Sequence, residues 1–298
     1  MKSLHLTDDA ELVEKDIPQP KPRKGELLVR VYAAGITPSE VLWYPTFHTK
    51  GGEKRAAPVP SHEFSGQIAK LGEGISQLSV GDEVFGMNDW FADGALAEYC
   101  ITRPDLVAPK PSGLDHAEAA SVPIGALTAW QGLFDRAKLR AGERVLIHGG
   151  AGAVGIFAVQ LARSLGAHVI TTVSAQNAQF VKGLGANEVI DYKTAPFENT
   201  AREIDVVFDT VGGDTLERSW NVLKPGGRLV TVAADQSGNK AFLLVEANQA
   251  QLVEISKRID AGALRTVVDT ILPFSNASGA YASNVKKTGP GKLVVVLH

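Results

Sequence analysis

The segment HGGAGAVG, residues 148–155, limits what this chain can fold into more than any other stretch. It follows the short apolar run RVLIH and opens the stretch AVGIFAVQLARSLG, so its glycines stand between a strand signal and a helix signal. Gly150, Gly152 and Gly155 fit the spacing G-x-G-x-x-G. In that context the first glycine permits a tight turn. The second lets backbone approach a diphosphate where a Cβ would clash, and the third lets the helix pack closely on the strand. With Ala153 and Val154 they form a loop whose backbone N–H groups face an anion at the helix N-terminus. The bland alternative is a tight strand–helix turn without a ligand, and the flanking elements argue against it.

The pattern then repeats. HVITTV, EVIDY, IDVVFDTVGG and RLVTVAA read as strands, the third closing in a glycine turn. AQFVKGLG and TLERSWNVLKPGG read as helices, the second stopped at Pro225-Gly226-Gly227. Such alternation requires a parallel sheet covered on both faces. With right-handed crossovers it predicts an α/β, doubly wound fold. Upstream, to about residue 110, the runs ELLVRVYAAG, FSGQIAKLG, GDEVFG and GALAEYCI predict a mostly β sheet or small barrel. Residues 43–61 read as a long loop, and 115–134 as a helical stretch interrupted by Pro123 and Gly125. The tail offers AFLLVEA, a helix over 249–259, and strands at RTVVDTIL and KLVVVLH. Its pattern suits either unit.

The second strand of the alternating region selects the dinucleotide. An acid about 20 residues past the loop would bind the ribose 2′-hydroxyl of NAD. Here the strand ends Val173-Ser174, and no Asp or Glu appears until Glu188. Ser174 and Asn177 can donate to a 2′-phosphate, with Tyr192 alongside from the next strand end, which favours NADP(H). The competing role for Ser174 and Asn177 is to cap the following helix.

Composition narrows the remaining classes. A length of 298 residues suggests about two domains. Thirty Lys and Arg against 33 Asp and Glu leave a net charge of -3, so no broad basic balance points to nucleic acid or an anionic membrane. The single cysteine, Cys100, excludes an intrachain disulfide and a multi-thiolate zinc site, and its neighbours suggest strand core. The first residues lack the apolar core of a signal peptide, and the uncharged run at 145–162 is too glycine-rich for a good membrane helix. A soluble, cytoplasmic protein is expected.

HGGAGAVGIFAVQLARSLGA, LGANEVIDY, DVVFDTVGGDTLERS and LKPGGRLV resemble the medium-chain dehydrogenase/reductase superfamily. PKPRKGELLVRVYAAGI, SHEFSGQIAKLGEG, VGDEVFGM, GALAEY, AEAASVPIGALTAW and GKLVVVL extend the resemblance over nearly the whole chain. It is nearest the zinc-independent quinone oxidoreductase branch with its alkenal and enone reductase-like members. The resemblance implies a GroES-like catalytic domain from residues 1–118 and 247–298, a Rossmann domain over 119–246 with NADP(H) in the cleft, and a homodimer or homotetramer.

It also implies particular residues. Thr128 would lie near the nicotinamide ribose, unless it serves only helix packing. Val211, Gly212, Ala233 and Ala234 would border the cofactor at strand ends, their backbone groups offered to the carboxamide. Phe242, Leu243 and Leu244 would cover the nicotinamide. Trp43, Tyr44, Phe47, Trp90 and Phe91 are candidates for stacking on a small, planar, apolar substrate, with ordinary packing as the alternative. Tyr44 is also the one candidate proton donor.

The zinc alcohol dehydrogenases of the superfamily hold metal where this chain has Thr37, His62 and, near the third position, Ile124. One imidazole does not make a three-ligand site, so no metal is expected. His62 and Glu63 could suggest a metal pair but read rather as a structural hydrogen-bonded pair at a strand start, and Lys292 could reach the cleft or sit at a strand edge, the edge being favoured. Without a Lewis acid, a conjugated acceptor suits hydride transfer better than an alcohol does. Two alternatives stay open: a zinc-type alcohol dehydrogenase, and a non-catalytic NADPH-binding protein.

Overall fold

Two strands that no sequence signal announced open the chain. β1 (Lys2–Leu6) and β2 (Leu12–Asp16) form an antiparallel hairpin. The computed structural model describes residues 1–9, 11–233, 239–281 and 289–297. The β-rich runs then appear as β3 (Leu27–Ile36), β4 (Glu63–Leu71), β5 (Glu83–Met87) and β6 (Tyr99–Thr102), with a short β7 (Val107–Pro109). The long loop between β3 and β4 contains one turn of helix, α1 (Tyr44–Phe47).

The stretch at 115–134 begins as two helices. α2 (His116–Ala120) starts at a capping box in which Asp115 accepts from the Glu118 backbone. α3 (Pro123–Trp130) starts on its proline, because Pro lacks only an N–H that the first turn leaves unpaired anyway. Pro123 therefore opens a helix instead of interrupting one. Gly125 has a packing reason: a Cβ there would stand 2.4 Å from the Ala153 carbonyl oxygen.

The alternating region folds as β8 (Arg144–His148), α4 (Gly155–Leu165), β9 (His168–Val173), α5 (Ala178–Gly183), β10 (Glu188–Asp191), β11 (Ile204–Asp209), α6 (Gly213–Ser219) and β12 (Leu223–Thr231). Its five strands run in the order β10-β9-β8-β11-β12, every neighbouring pair parallel. The order reverses direction at β8, which places the switch point, and hence a binding crevice, at the end of β8. One expectation fails here. Pro225-Gly226-Gly227 does not stop a helix; α6 has ended earlier, and these residues lie inside β12. Leu223 pairs with Ile204 and Arg228 with Val206, so the extra residues bulge out of register.

The tail supplies α7 (Gln249–Asp260), β13 (Val268–Pro273), α8 (Ser278–Tyr281) and β14 (Lys292–Val296). β14 pairs antiparallel with β3, Leu293 opposite Ile36, and parallel with β13. The tail strands thus complete a seven-stranded sheet begun by the N-terminal residues. Because β14 lies between two neighbours, Lys292 is not at a sheet edge; it is 4% exposed.

One apolar core joins the units. Phe85, Met87 and Trp90 from the N-terminal half pack in the same cluster as Leu127, Ile147, Phe157 and Phe208. A second cluster lies within the β3–β4–β14 layer. No helix among the described residues is long and apolar enough to cross a membrane.

Candidate cofactor and substrate site

The loop after β8 makes its turn at Gly149, whose φ is 75°, so the left-handed residue is Gly149 and not Gly150. Gly150 is required for another reason: its Cβ would lie 2.1 Å from Thr171 Oγ1 on β9. A Cβ on Gly155 would lie 2.1 Å from the Gly149 carbonyl oxygen, so this glycine seats the start of α4 against the turn. Gly152 differs from both. Its Cβ would meet only Gly149 O, at 3.2 Å, and its open side faces a cavity.

That cavity, about 500 Å³, is lined by Gly149, Ala151 and Gly152 of the loop, Thr172, Val173, Ser174 and Asn177 after β9, Tyr192 after β10, Thr210 and Val211 after β11, and Gly289 of the tail. Four expected site residues therefore meet around Gly152: Ser174, Asn177, Tyr192 and Val211. Neither the Ser174 nor the Asn177 side chain makes a capping bond to the helix that follows. Their polar groups stay available to a ligand. Among the described residues lining the cavity none is acidic; the one arginine, Arg218, is paired with Glu198 at 2.6 Å and Asp214 at 2.7 Å.

His148, Phe197 and Arg218 also line the space, and sequence patterns did not single them out. Arg218 lies 4.9 Å over the Phe197 ring, and the His148 ring meets the same ring at 4.6 Å. Burial lowers the His148 pKa to about 4, leaving the imidazole neutral at pH 7. It bonds Thr172 and Ser219 at 3.1 and 3.0 Å. The position of His148 next to Gly149 was the one available signal for it. Phe197 and Arg218 come from distant elements and carry none.

A diphosphate-bearing dinucleotide fits this cradle. A cavity of the right scale adjoins a glycine that a side chain would obstruct, at the start of an 11-residue helix.

Other expected cofactor residues are placed differently. The Val211 and Gly212 backbone N–H groups both donate to Asp209, at 3.0 and 3.1 Å, and Ala233 N–H donates to Thr231 Oγ1 at 3.2 Å. Asp209 is buried and also accepts from Thr231 Oγ1 at 2.7 Å. These strand-end N–H groups are thus engaged within the protein, which leaves only the backbone carbonyls for a carboxamide. Ala234 lies outside the described residues. Thr128 is buried and gives its hydroxyl to the Ile124 carbonyl at 2.6 Å, as helix packing would have it. Ala153 and Val154 complete the loop but do not line the cavity.

Phe242, Leu243 and Leu244 are half-buried beside the end of β12; Leu243 N–H donates to Thr231 O at 2.9 Å. The segment leads to Val245, whose carbonyl accepts from Trp90 Nε1 at 2.8 Å. Trp90 packs edge-on against Trp43, with centroids 5.0 Å apart, and its other neighbour is the His62 ring at 5.0 Å. Phe91 sits under Lys50. Trp43, Trp90 and Phe91 all pack on the main core. Tyr44 does not join them. It is 53% exposed and stacked on His48, with centroids 3.9 Å apart. Phe47 is half-buried on the same turn of helix.

Beneath the tryptophans lies a buried polar cluster. His62 and Glu63 do not bond each other, since adjacent strand residues diverge. His62 Nδ1 meets Glu40 Oε2 at 2.8 Å, and Nε2 meets the Ala92 carbonyl at 3.2 Å. Glu40 also accepts from Ser61 N–H at 3.1 Å and from the Tyr281 hydroxyl. Burial, and then the Glu40 charge, push the Tyr281 pKa well up. Ser61, held between these bonds, has a φ of 67°, an uncommon value for a residue with a side chain. Glu63 pairs with Lys292 and accepts from Ile124 N–H at 2.8 Å. Burial raises the Glu63 pKa, opposed by the Lys292 ammonium. Lys292 Nζ donates to Thr37 Oγ1 at 2.9 Å. Cys100 is buried on β6, and burial raises its pKa, as befits a core thiol.

The chain matches the family models "Alcohol dehydrogenase GroES-like domain" over residues 23–112 and "Zinc-binding dehydrogenase" over 184–295. It is 31% identical to a 2-methylene-furan-3-one reductase of Solanum lycopersicum, covering 100% of this chain and 79% of that protein. It is 30% identical to an NADPH-dependent alkenal/one oxidoreductase of Arabidopsis thaliana, covering 96% of this chain and 76% of that protein. Among solved structures, the quinone oxidoreductase of Coxiella burnetii superposes with a TM-score of 0.90 at 31% identity, over 100% of this chain and 99% of that one. The glycine cradle, the parallel sheet beside a GroES-like unit and these likenesses over nearly the whole of this chain place it in the medium-chain dehydrogenase/reductase superfamily, among its quinone and alkenal oxidoreductases, as an oxidoreductase that uses a nicotinamide cofactor.

Proposed function

We propose that this chain is an NADPH-dependent, zinc-independent reductase of small planar acceptors, quinones or α,β-unsaturated carbonyls. The observation that carries the reading is the cavity beside Gly152, where Ser174, Asn177, Tyr192 and Arg218 meet and no described lining residue is acidic. A 2′-phosphate would meet the Ser174, Asn177 and Tyr192 polar groups there, with Arg218 nearby but already paired with Glu198 and Asp214.

Zinc-independence is supported by the state of the inherited ligand positions. Thr37 Oγ1 already accepts from an ammonium, which would repel a divalent cation, and both His62 nitrogens are engaged within the protein. Position 124 is isoleucine.

In this reading residues 119–246 bind the cofactor, and residues 1–118 with 247–298 carry the acceptor. When bound, the cofactor supplies hydride. The loop N–H groups hold its diphosphate. The Trp43–Trp90 pair and Leu243–Leu244 form apolar walls that orient a flat acceptor and exclude water. We place the protein in the cytoplasm as a homodimer or homotetramer; sedimentation of the purified protein tests the oligomer, and cell fractionation the compartment.

The decisive experiment is NADPH and NADH oxidation run in parallel with 9,10-phenanthrenequinone and methyl vinyl ketone. NADPH is expected to be preferred in kcat/KM by at least about tenfold, a difference of about 1.4 kcal/mol. Activity is expected to survive a chelator. Tight cofactor binding with no turnover across both acceptor classes would instead leave a cofactor-binding protein. Loss of activity with chelator, restored by zinc, would make it a zinc enzyme.

Coenzyme choice has its own test. Ser174→Asp sets a carboxylate against the proposed 2′-phosphate site. It is expected to cut kcat/KM for NADPH by about tenfold or more while changing NADH use by less than about threefold. Equal losses with both coenzymes would remove Ser174 from the discrimination.

A further inference from the structure

The Lys292–Thr37 contact has a chemical direction. An ammonium carries three donors and no acceptor, so at 2.9 Å the Thr37 oxygen must be the acceptor. The one hydroxyl proton of Thr37 must therefore point elsewhere. Thr37 makes no side-chain cap to the turn that follows it, and its hydroxyl has no other hydrogen bond among the described residues. Thr37 is half-buried, while Lys292 behind it is 4% exposed. Of the two residues, Thr37 is the more exposed.

The position of this pair follows from the sheet. Thr37 extends from the end of β3, where Ile36 faces Leu293 of β14. Gly291, just before Lys292, donates its N–H to Ala151 O at 3.1 Å and bridges to Gly152. The strand that carries the ammonium thus begins on the glycine loop itself. Glu63 ties the same ammonium to the first turn of α3 through Ile124 N–H. The pair is therefore anchored to the loop on one side and to α3 on the other.

We propose that Thr37, polarised by Lys292, is the hydrogen-bond donor to the carbonyl oxygen of the acceptor. This deepens the reductase reading above and rests on it. When hydride adds to the conjugated carbon, a C–H bond forms and the π electrons move onto the carbonyl oxygen. That oxygen becomes anionic and accepts from Thr37 O–H. Water then supplies the proton that completes reduction, so no further redox partner enters. The buried ammonium strengthens the donor at the moment when charge arrives, with little reorganisation. Glu63 pairs with the same ammonium, so the buried cation has a counter-charge.

The test uses Thr37→Val, which removes the donor at nearly the same shape, with Thr37→Ser as the conservative variant. With methyl vinyl ketone, Thr37→Val is expected to lower kcat by about 10²-fold with KM within about threefold, and Thr37→Ser to stay within about threefold of wild type. A second readout needs no turnover. With NADP⁺ bound, 4-nitrophenolate, a stable phenoxide, is titrated by its absorbance. Thr37→Val is expected to bind it about tenfold more weakly, with NADPH affinity and melting temperature unchanged. A purely structural threonine would shift melting and leave phenoxide affinity alone. Thr37→Val with kcat within threefold of wild type, or with unchanged phenoxide affinity, overturns the assignment. If wild type reduces no acceptor at all, the reductase reading falls. The phenoxide arm then decides the Thr37 assignment separately, equal affinities of wild type and Thr37→Val overturning it.

Discussion

A Gly155→Ala protein is expected to lose stability before any cofactor is added, whereas Gly152→Val is expected to fold normally and fail to bind NADPH. The two glycines belong to one motif but face different surroundings. At Gly155 a methyl group would lie 2.1 Å from the Gly149 carbonyl oxygen and 2.7 Å from Gly150 Cα, both backbone atoms of a tight turn. Neither can move without breaking the start of α4. The cost is put at about 3 kcal/mol or more of overpacking strain, read as a lower melting temperature of the cofactor-free protein. At Gly152 the nearest atom, 3.2 Å away, need shift only a few tenths of an ångström, and the new side chain enters the cavity. NADPH affinity is expected to fall about 10²-fold, or about 2.7 kcal/mol, with melting within a few degrees of wild type. Equal melting for Gly155→Ala and wild type would show that the turn yields to a methyl group, and full NADPH affinity in Gly152→Val would show that the diphosphate lies elsewhere.

Lys292→Met is expected to be strongly destabilising. It strands Glu63, which is fully buried. Removing one partner of a buried ion pair costs about 3–5 kcal/mol. The loss is expected to depend on pH. Burial already raises the Glu63 pKa above its ordinary 4.5, and Lys292 is the chief force holding it down. Without the ammonium the folded protein retains a proton that the unfolded chain releases. Stability then falls as pH rises above about 4.5 and through the folded pKa. Urea denaturation at pH 5 and pH 8 checks this: the deficit against wild type should be smaller at pH 5. Adding Glu63→Gln should restore much of the loss, because it removes the stranded charge. A deficit independent of pH and untouched by Glu63→Gln would mean that the lysine contributes only packing.

The glycine loop, the strands on either side of it and the helix from Gly155 were legible because their signals are local. A period of two or 3.6 residues and a glycine spacing survive without knowledge of neighbours. The β12 bulge was not legible. LKPGG carries every local mark of a helix stop, yet Arg228 is drawn into register with Val206 and the extra residues are pushed out. Lys292 was misplaced for the same reason. GKLVVVL reads as a strand, but only the pairing of β14 with both β13 and β3 puts its first residue in the interior.

The candidate site divides along the same line. Ser174, Asn177, Tyr192 and Gly152 could be picked out because strand ends next to a glycine loop must face a common crevice in any doubly wound sheet. Phe197 and Arg218 could not, because their meeting with His148 depends on how far each chain segment travels before it returns. That the Val211 and Gly212 N–H groups are held by Asp209, on the same strand end, was not legible in the sequence. Tyr44 and Trp43 are neighbours in sequence. One stacks on His48 at the surface, while the other packs on Trp90 in the core. Residue order was enough to predict a parallel sheet and a phosphate-gripping turn, since both arise from short-range sterics and backbone hydrogen bonding. Which polar groups remain free for a ligand had to await the folded chain, since a donor is spent or spared by partners tens to hundreds of residues away.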